Sequence, residues 1–210
     1  MNKIVCIYPK DLATDFLHPL YEHICTTFNA IGVGYDTYSD EDPLELIYHE
    51  VEDAHVIFFL GHGMSTCLYA SITDNVELFN KNNIALLNGK RLFLLACRSN
   101  QFIKECNITN AIGFGFLPTS EEDIEYTRRY HNIDITDTNI LDVDYFNRAI
   151  VQIFIQSISE ETIGDFFLLK ERILFNTSKE IVRCLRDKVA PHYRTIADEL
   201  YYMYKDLIVK

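Results

Sequence analysis

Two short segments of this chain end on residues able to do acid–base and nucleophilic chemistry. FFLGHG (residues 58–63) places His62 between two glycines, and LFLLAC (residues 92–97) places Cys97 after a small alanine. A cysteine is a competent nucleophile near neutral pH, because a few per cent is already thiolate. A histidine beside it raises that fraction or protonates a leaving amine. Gly63 leaves its backbone N–H unobstructed. Together with the N–H of Cys97 it could hold a developing oxyanion, each such donor contributing roughly 2.7–4 kcal/mol in the transition state. Gly61 and Ala96 are small enough to let a peptide substrate approach closely.

Both reactive residues follow uninterrupted apolar runs, HVIFFLG and RLFLLA. Such runs are expected of strands covered on both faces. In open α/β sheets the functional crevice lies beyond the carboxyl ends of the strands. Neighbouring strands lie about 4.8 Å apart, so pairing these two would deliver imidazole and thiol to one rim.

The rest of the first half supports such a sheet. KIVCIYP reads as a first strand ending at Pro9. Phe16, Leu20, Ile24 and Phe28 recur with helical spacing, with Thr14 or Asp15 as the cap and Gly32 and Gly34 as C-terminal signals. YDTYSD reads as a short strand. EDPLELIYHEVEDA reads as a helix, capped by Asp42 with Pro43 at its first position. TCLYASI reads as a short strand, NVELFNKNNIALLNGK as weakly helical, SNQFIKECNIT as a helix and NAIGFGFL as a strand stopped by Pro118. Strand–helix alternation predicts a mostly parallel sheet between helical layers.

From Asp123 to about residue 142 the chain is polar and irregular. VDYFNRAIVQIFIQSI then reads as a helix. SEETIGDFFLLKERILFNTSKEIVRCLRD reads as one long second helix with Ser157 and Glu160 as a capping box, and TIADELYYMYKDLI as a helical C-terminus. The expected organisation is an α/β core over residues 1–145 and a helical C-terminal region over 146–210.

Composition narrows the function. Of the 210 residues, 48% are hydrophobic, so a sizeable core is available. The net charge of −12 disfavours nucleic acid and anionic membrane surfaces as direct partners. No apolar run approaches the ~20 residues a membrane helix needs. The N-terminal apolar run is short and read as core strand, so a cytoplasmic protein is expected. The six cysteines, at 6, 25, 67, 97, 106 and 184, show no C-x-x-C pair or regular spacing. Cys6, Cys25 and Cys184 read as packing residues. His62, Cys67, Cys97 and Cys106 lack the short ligand pairs of a zinc site, so no metal and no cofactor is expected.

An apolar strand ending in His-Gly, followed by one ending in Ala-Cys, resembles the caspase-like cysteine peptidases, which include caspases, legumain, gingipain, clostripain, separase and the CHAT-domain proteases. The matching residues are FFLGHG and LFLLAC in the same His-before-Cys order, and AIGFGFLPTS is similar to the strand after the cysteine in CHAT and gingipain-type domains. Leu95 stands where the caspase motif has Gln, and Cys97 follows His62 by only 35 residues (62 to 97). The resemblance is therefore to the CHAT and gingipain side of the group. It implies a caspase-like three-layer sandwich and a thiol protease (cysteine endopeptidase) in which Cys97 attacks and His62 is the acid–base. It also implies a substrate pocket built partly from the loop after the first strand, where Asp11 and Asp15 would favour Arg or Lys, with further acids at Glu121–Asp123. Lys10 in the same loop argues the opposite. CHAT-type proteases are often effectors switched on by a regulatory protein partner, some in bacterial (antiviral) defence, which leads to the expectation of a regulatory partner or homo-oligomer here.

Two other readings fit parts of the pattern. A catalytically inactive caspase-like or flavodoxin-like binding module would show the same alternation, although the first strand lacks a Gly-rich phosphate cradle. A class I glutamine amidotransferase has its cysteine before its histidine, the reverse of this chain.

Overall fold

The computed structural model describes residues 3–38, 43–120, 123 and 140–210. Its centre is β3 (Val56–Leu60) beside β6 (Arg91–Leu95), paired in parallel with Leu60 opposite Leu95. All five residues of β3 are buried, as the unbroken apolar run requires. On the other side of β3 lie β1 (Ile4–Lys10) and β2 (Ile31–Asp36), both parallel. Beyond β6 lie β7 (Ala111–Gly113), parallel, and β8 (Ile208–Val209), antiparallel. The sheet order is β2-β1-β3-β6-β7-β8. A separate antiparallel hairpin joins β4 (Cys67–Ser71) to β5 (Val76–Asn80).

Seven α-helices surround the sheet among the described residues: α1 (His18–Phe28), α2 (Leu44–Glu52), α3 (Ser99–Glu105), α4 (Ile140–Ser157), α5 (Glu160–Ile163), α6 (Phe166–Asp187) and α7 (Tyr193–Asp206). Alternate strand residues point to opposite faces. Phe58, Leu60, Phe93 and Leu95 face a core closed by α1, α4, α6 and α7. Ile57, Phe59, Leu92 and Leu94 face one closed by α2, α3 and the β4–β5 hairpin. The arrangement is α/β with a mostly parallel sheet between two covering layers. Phe93 anchors the first core, with its ring centroid 5.4–5.6 Å from those of Phe58, Phe114 and Phe154. Each fully buried Phe contributes roughly 1.5–3 kcal/mol.

The helical C-terminal region shares the first core, and α7 runs straight into β8 at the sheet edge. The inner faces of α4, α6 and α7 account for most of their apolar residues. Phe167, Phe175 and Val182 remain exposed on the outer face of α6.

Several elements differ from the expectation. Gly32 and Gly34 do not end α1, which closes on Asn29 at φ 47°; they belong to β2. Tyr21 of α1 lies over them, and a Cβ on Gly32 would fall 2.3 Å from its hydroxyl. Thr14 and Asp15 do not cap α1. The Thr14 hydroxyl is committed to the Pro9 carbonyl, and a 3-10 turn over Asp15–Leu17 precedes the helix. Pro43 is the N-cap of α2, and Asp42 lies outside the described residues.

Residues 76–89 form β5 and a 3-10 turn (Ile84–Leu87) rather than a helix. Residues 76–80 pair antiparallel with β4, and the Tyr48 hydroxyl of α2 donates to the Leu78 carbonyl at 3.0 Å. The long helix expected over residues 159–187 is broken. Ser159 and Thr162 form the capping box of α5, and the Asp165 carboxylate accepts from the N–H groups of Phe167 and Leu168 to start α6. Ser157 instead donates to the Ile153 carbonyl inside α4. β7 covers only three residues, and the chain after it leaves the strand ladder to bond with the turn that carries Cys97.

Candidate active site

Three adjacent strands end at one edge of the sheet, and each is followed by a polar residue of interest. Asp11 follows β1, His62 follows β3 and Cys97 follows β6, and β3 lies between the other two. The register sets the heights: His62 and Cys97 each lie two residues beyond the matched pair Leu60 and Leu95.

The GHG segment doubles back after β3. Gly61 extends the sheet by donating its N–H to the Leu95 carbonyl at 3.1 Å. The His62 carbonyl then accepts from Tyr69, and Met64 donates to the Cys67 carbonyl, so Gly63 is bridged to Leu68. In this pattern Gly63 occupies a non-hydrogen-bonded position, with its own N–H directed away from β4. Among the described residues no acceptor takes the N–H of Gly63 or of Cys97. A side chain at 63 would press on Ala96 and Leu68 at 3.0 Å and on the Cys97 carbonyl at 3.1 Å. Glycine is thus what lets the histidine turn lie against the cysteine turn.

His62 is held by Asp11: Nε2 lies 2.7 Å from Oδ2. Asp11 is only 6% exposed. Its other oxygen accepts from the N–H groups of Ala13 (2.9 Å) and Thr14 (3.0 Å) and faces the Thr14 hydroxyl at 3.2 Å. Burial raises the Asp11 carboxyl, but the hydrogen bond and charge of His62, with the Thr14 donors, outweigh it and hold it below the ordinary carboxylate range. A carboxylate is acceptor-only, so the proton of this contact belongs to Nε2; in the neutral imidazole that leaves the lone pair on Nδ1.

Cys97 sits in a tight turn between β6 and α3. Arg98, the next residue, is left-handed at φ 57°, an uncommon conformation for a side-chain-bearing residue. The turn is stapled to the chain after β7. Arg98 donates to the Gly115 carbonyl (2.8 Å), Asn100 donates to the Phe114 carbonyl (2.9 Å), and the buried Ser99 hydroxyl accepts from the Phe114 N–H (2.9 Å). The Cys97 thiol donates to the Leu117 carbonyl at 3.3 Å. Burial, and after it the charge of Asp123, push this thiol up to about 12. It is a protonated thiol at rest.

His62 and Cys97 share the wall of one cavity of about 360 Å³, with Gly63, Ala96, Leu117 and Asp123 among its other residues. Among the described residues no hydrogen bond joins the imidazole to the thiol. Asp123 accepts from the Thr119 N–H (3.1 Å), the Thr119 hydroxyl (3.3 Å) and the Ser120 N–H (3.2 Å), while burial raises its carboxyl.

The two acids assigned by sequence to a substrate pocket therefore have other places. Asp11 is the partner of His62, and Asp15 is exposed and paired with Lys10 at 3.1 Å. Neither lines the cavity. Of the Glu121–Asp123 group only Asp123 lies within the described residues, and it does line the cavity. Adjacency of β1 to β3 is the signal that singles out Asp11; nothing local in the sequence marks the Leu117 carbonyl. Among the described residues no group of three or more His, Cys, Asp or Glu side chains is placed to hold a metal ion. Nor is any helix among them long and apolar enough to cross a membrane. Comparison with protein-family models, with curated proteins and with solved structures gives no match for this chain.

Proposed function

We propose that this chain is a caspase-like cysteine peptidase that cleaves peptide bonds with Cys97 as nucleophile and His62 as acid–base. The observation that carries the reading is the lateral order Asp11–His62–Cys97 at one sheet edge, with Asp11 fixing the imidazole at 2.7 Å. In the reaction the thiol leaves the Leu117 carbonyl and gives its proton to His62 Nδ1 as sulfur bonds to the scissile carbonyl carbon. The oxyanion is held by the N–H groups of Gly63 and Cys97. Collapse of the tetrahedral species breaks the C–N bond, and His62 returns the proton to the departing amine. Water, deprotonated by the same nitrogen, then hydrolyses the thioester. Asp11 is a positioning residue: it holds the tautomer and stabilises the imidazolium as it forms.

One feature favours a second reading, a binding module that keeps the fold without turnover: the thiol is protonated and hydrogen-bonded away from His62. Proteolysis of an unselected peptide mixture separates the two. The peptidase reading expects cleavage that disappears in Cys97→Ala and in His62→Ala with unchanged circular dichroism; the module reading expects none from the wild type.

A further inference from the structure

The cavity beside Cys97 has a chemistry of its own. Its wall includes Phe16, Leu17, Ile72, Phe116, Leu117 and Ile150. At its rim Met64 is 47% exposed and Ile72 is 40% exposed, both large apolar side chains held in solvent beside the reactive turns. Among the described residues two charged ones, Arg98 and Asp123, also belong to the wall, and their charges are opposite. One Asp123 oxygen is occupied by three donors of the Thr119–Ser120 turn. Of the acids expected to make a pocket cation-selective, Asp11 lies on His62 and Asp15 on Lys10, and among the described residues only Asp123 belongs to the wall.

Resting on the peptidase reading, we infer that this cavity is the specificity pocket, and that it selects a bulky apolar side chain on the residue that supplies the scissile carbonyl. That residue is the one concerned because its Cα is bonded directly to the carbon Cys97 attacks, so its side chain must leave the sulfur into the space that the sulfur itself borders. Space is sufficient. An apolar cavity of roughly 150 Å³ holds a benzene ring, and this one measures about 360 Å³. A lysine, arginine or aspartate side chain entering it would lose water against a wall of Phe, Leu and Ile, whose charges among the described residues, Arg98 and Asp123, are of opposite sign. An aliphatic or aromatic side chain gains by leaving water there, and covers Met64 and Ile72 as it does so.

The test is a set of peptidyl acyloxymethyl ketones identical except at the residue next to the warhead: Leu, Phe, Ala, Lys, Arg or Asp. The rate of adduct formation on Cys97 is read by peptide-mapping mass spectrometry. The Leu and Phe probes are expected to label at least tenfold faster than the Lys, Arg and Asp probes. Ile72→Asp, a change at an exposed rim position that leaves the core intact, is expected to slow the Leu probe about tenfold and the Ala probe by clearly less. Fastest labelling by a Lys, Arg or Asp probe, or equal labelling by all six, would overturn the pocket assignment while leaving Cys97 a peptidase nucleophile. Failure of every probe to label Cys97 would overturn the peptidase reading and the pocket with it.

Discussion

His62 and Cys97 each stand two residues past a register-matched pair, Leu60 and Leu95, on neighbouring parallel strands. A one-residue slip of either strand would turn its side chains to the opposite face. It would also separate the imidazole from the thiol. The apolar alternation that builds the two cores therefore aligns the candidate site as well.

Asp11 should matter through His62. Asp11→Asn preserves shape but no longer enforces the proton on Nε2. Peptide turnover is expected to fall on the order of 10²–10⁴-fold in kcat with little change in KM. Asp11→Glu should recover part of this loss, which a purely structural role would not explain. Linkage gives a second readout. Because the folded carboxyl is depressed, its stabilisation is present above the unfolded value near pH 4 and is lost as pH falls through the lower folded value. The stability gap between wild type and Asp11→Asn in urea melts should hold at pH 5–7 and shrink below about pH 4.

The resting thiol makes an expectation about small reagents. A hydrogen bond from Cys6, with another from Tyr21, outweighs burial and brings Cys25 down to about 7, whereas Cys97 is pushed up to about 12. Iodoacetamide at pH 7.5 (about a unit below an ordinary thiol) should modify Cys25 ahead of Cys97, as mapped by mass spectrometry. Alkylation of Cys97 should accelerate as pH rises past 9 towards 12. Preferential modification of Cys97 at neutral pH would mean that its thiol is already activated.

Gly63→Ala places a methyl group against Ala96, Leu68 and the Cys97 carbonyl. The contacts are tight rather than prohibitive, so a stability loss of about 1–3 kcal/mol is expected in denaturant titration. Peptide turnover should fall further than that loss explains, because the histidine and cysteine turns are pushed apart and one oxyanion donor moves.

The C-terminal strand supports the site from a distance. Ala111 and Lys210 exchange two backbone hydrogen bonds, at 3.1 and 2.9 Å, and the Asn100 side chain of α3 donates to the Asp206 carbonyl at 3.0 Å. Truncation after Leu207 removes β8 and keeps the buried leucine. It should cost more than the roughly 1–3 kcal/mol of the two Ala111–Lys210 bonds alone, because the paired positions Ile112–Val209 and Gly113–Ile208 are lost with them, as read in thermal or urea unfolding.

The central strands, the parallel sheet and the strand-end positions of His62 and Cys97 were legible in the sequence, because unbroken apolar runs stopped by Gly or Ala leave few alternatives. The role of Asp11 was not. Its residue type fits a substrate pocket as well as a histidine partner, and only the adjacency of β1 and β3 decides between them. Residues 76–89 carry a mixed periodicity, and pairing of residues 76–80 with β4 makes that part a strand. The break at Gly164–Asp165 was hidden because the apolar pattern continues across it, while the Asp165 carboxylate restarts the helix. β8 is two residues long, too short for any periodicity to announce it.

The most direct measurement is capture of the acyl-enzyme. Rapid acid quench of the protein with a peptide thioester substrate, followed by peptide mapping, should find the acyl group on Cys97 as a hydroxylamine-labile adduct. The adduct should be absent in Cys97→Ala and should form at least a hundredfold more slowly in His62→Ala, in keeping with the usual scale of general acid–base catalysis. Substrate hydrolysis that persists undiminished in Cys97→Ala, or an acyl group found on another residue, would contradict the account.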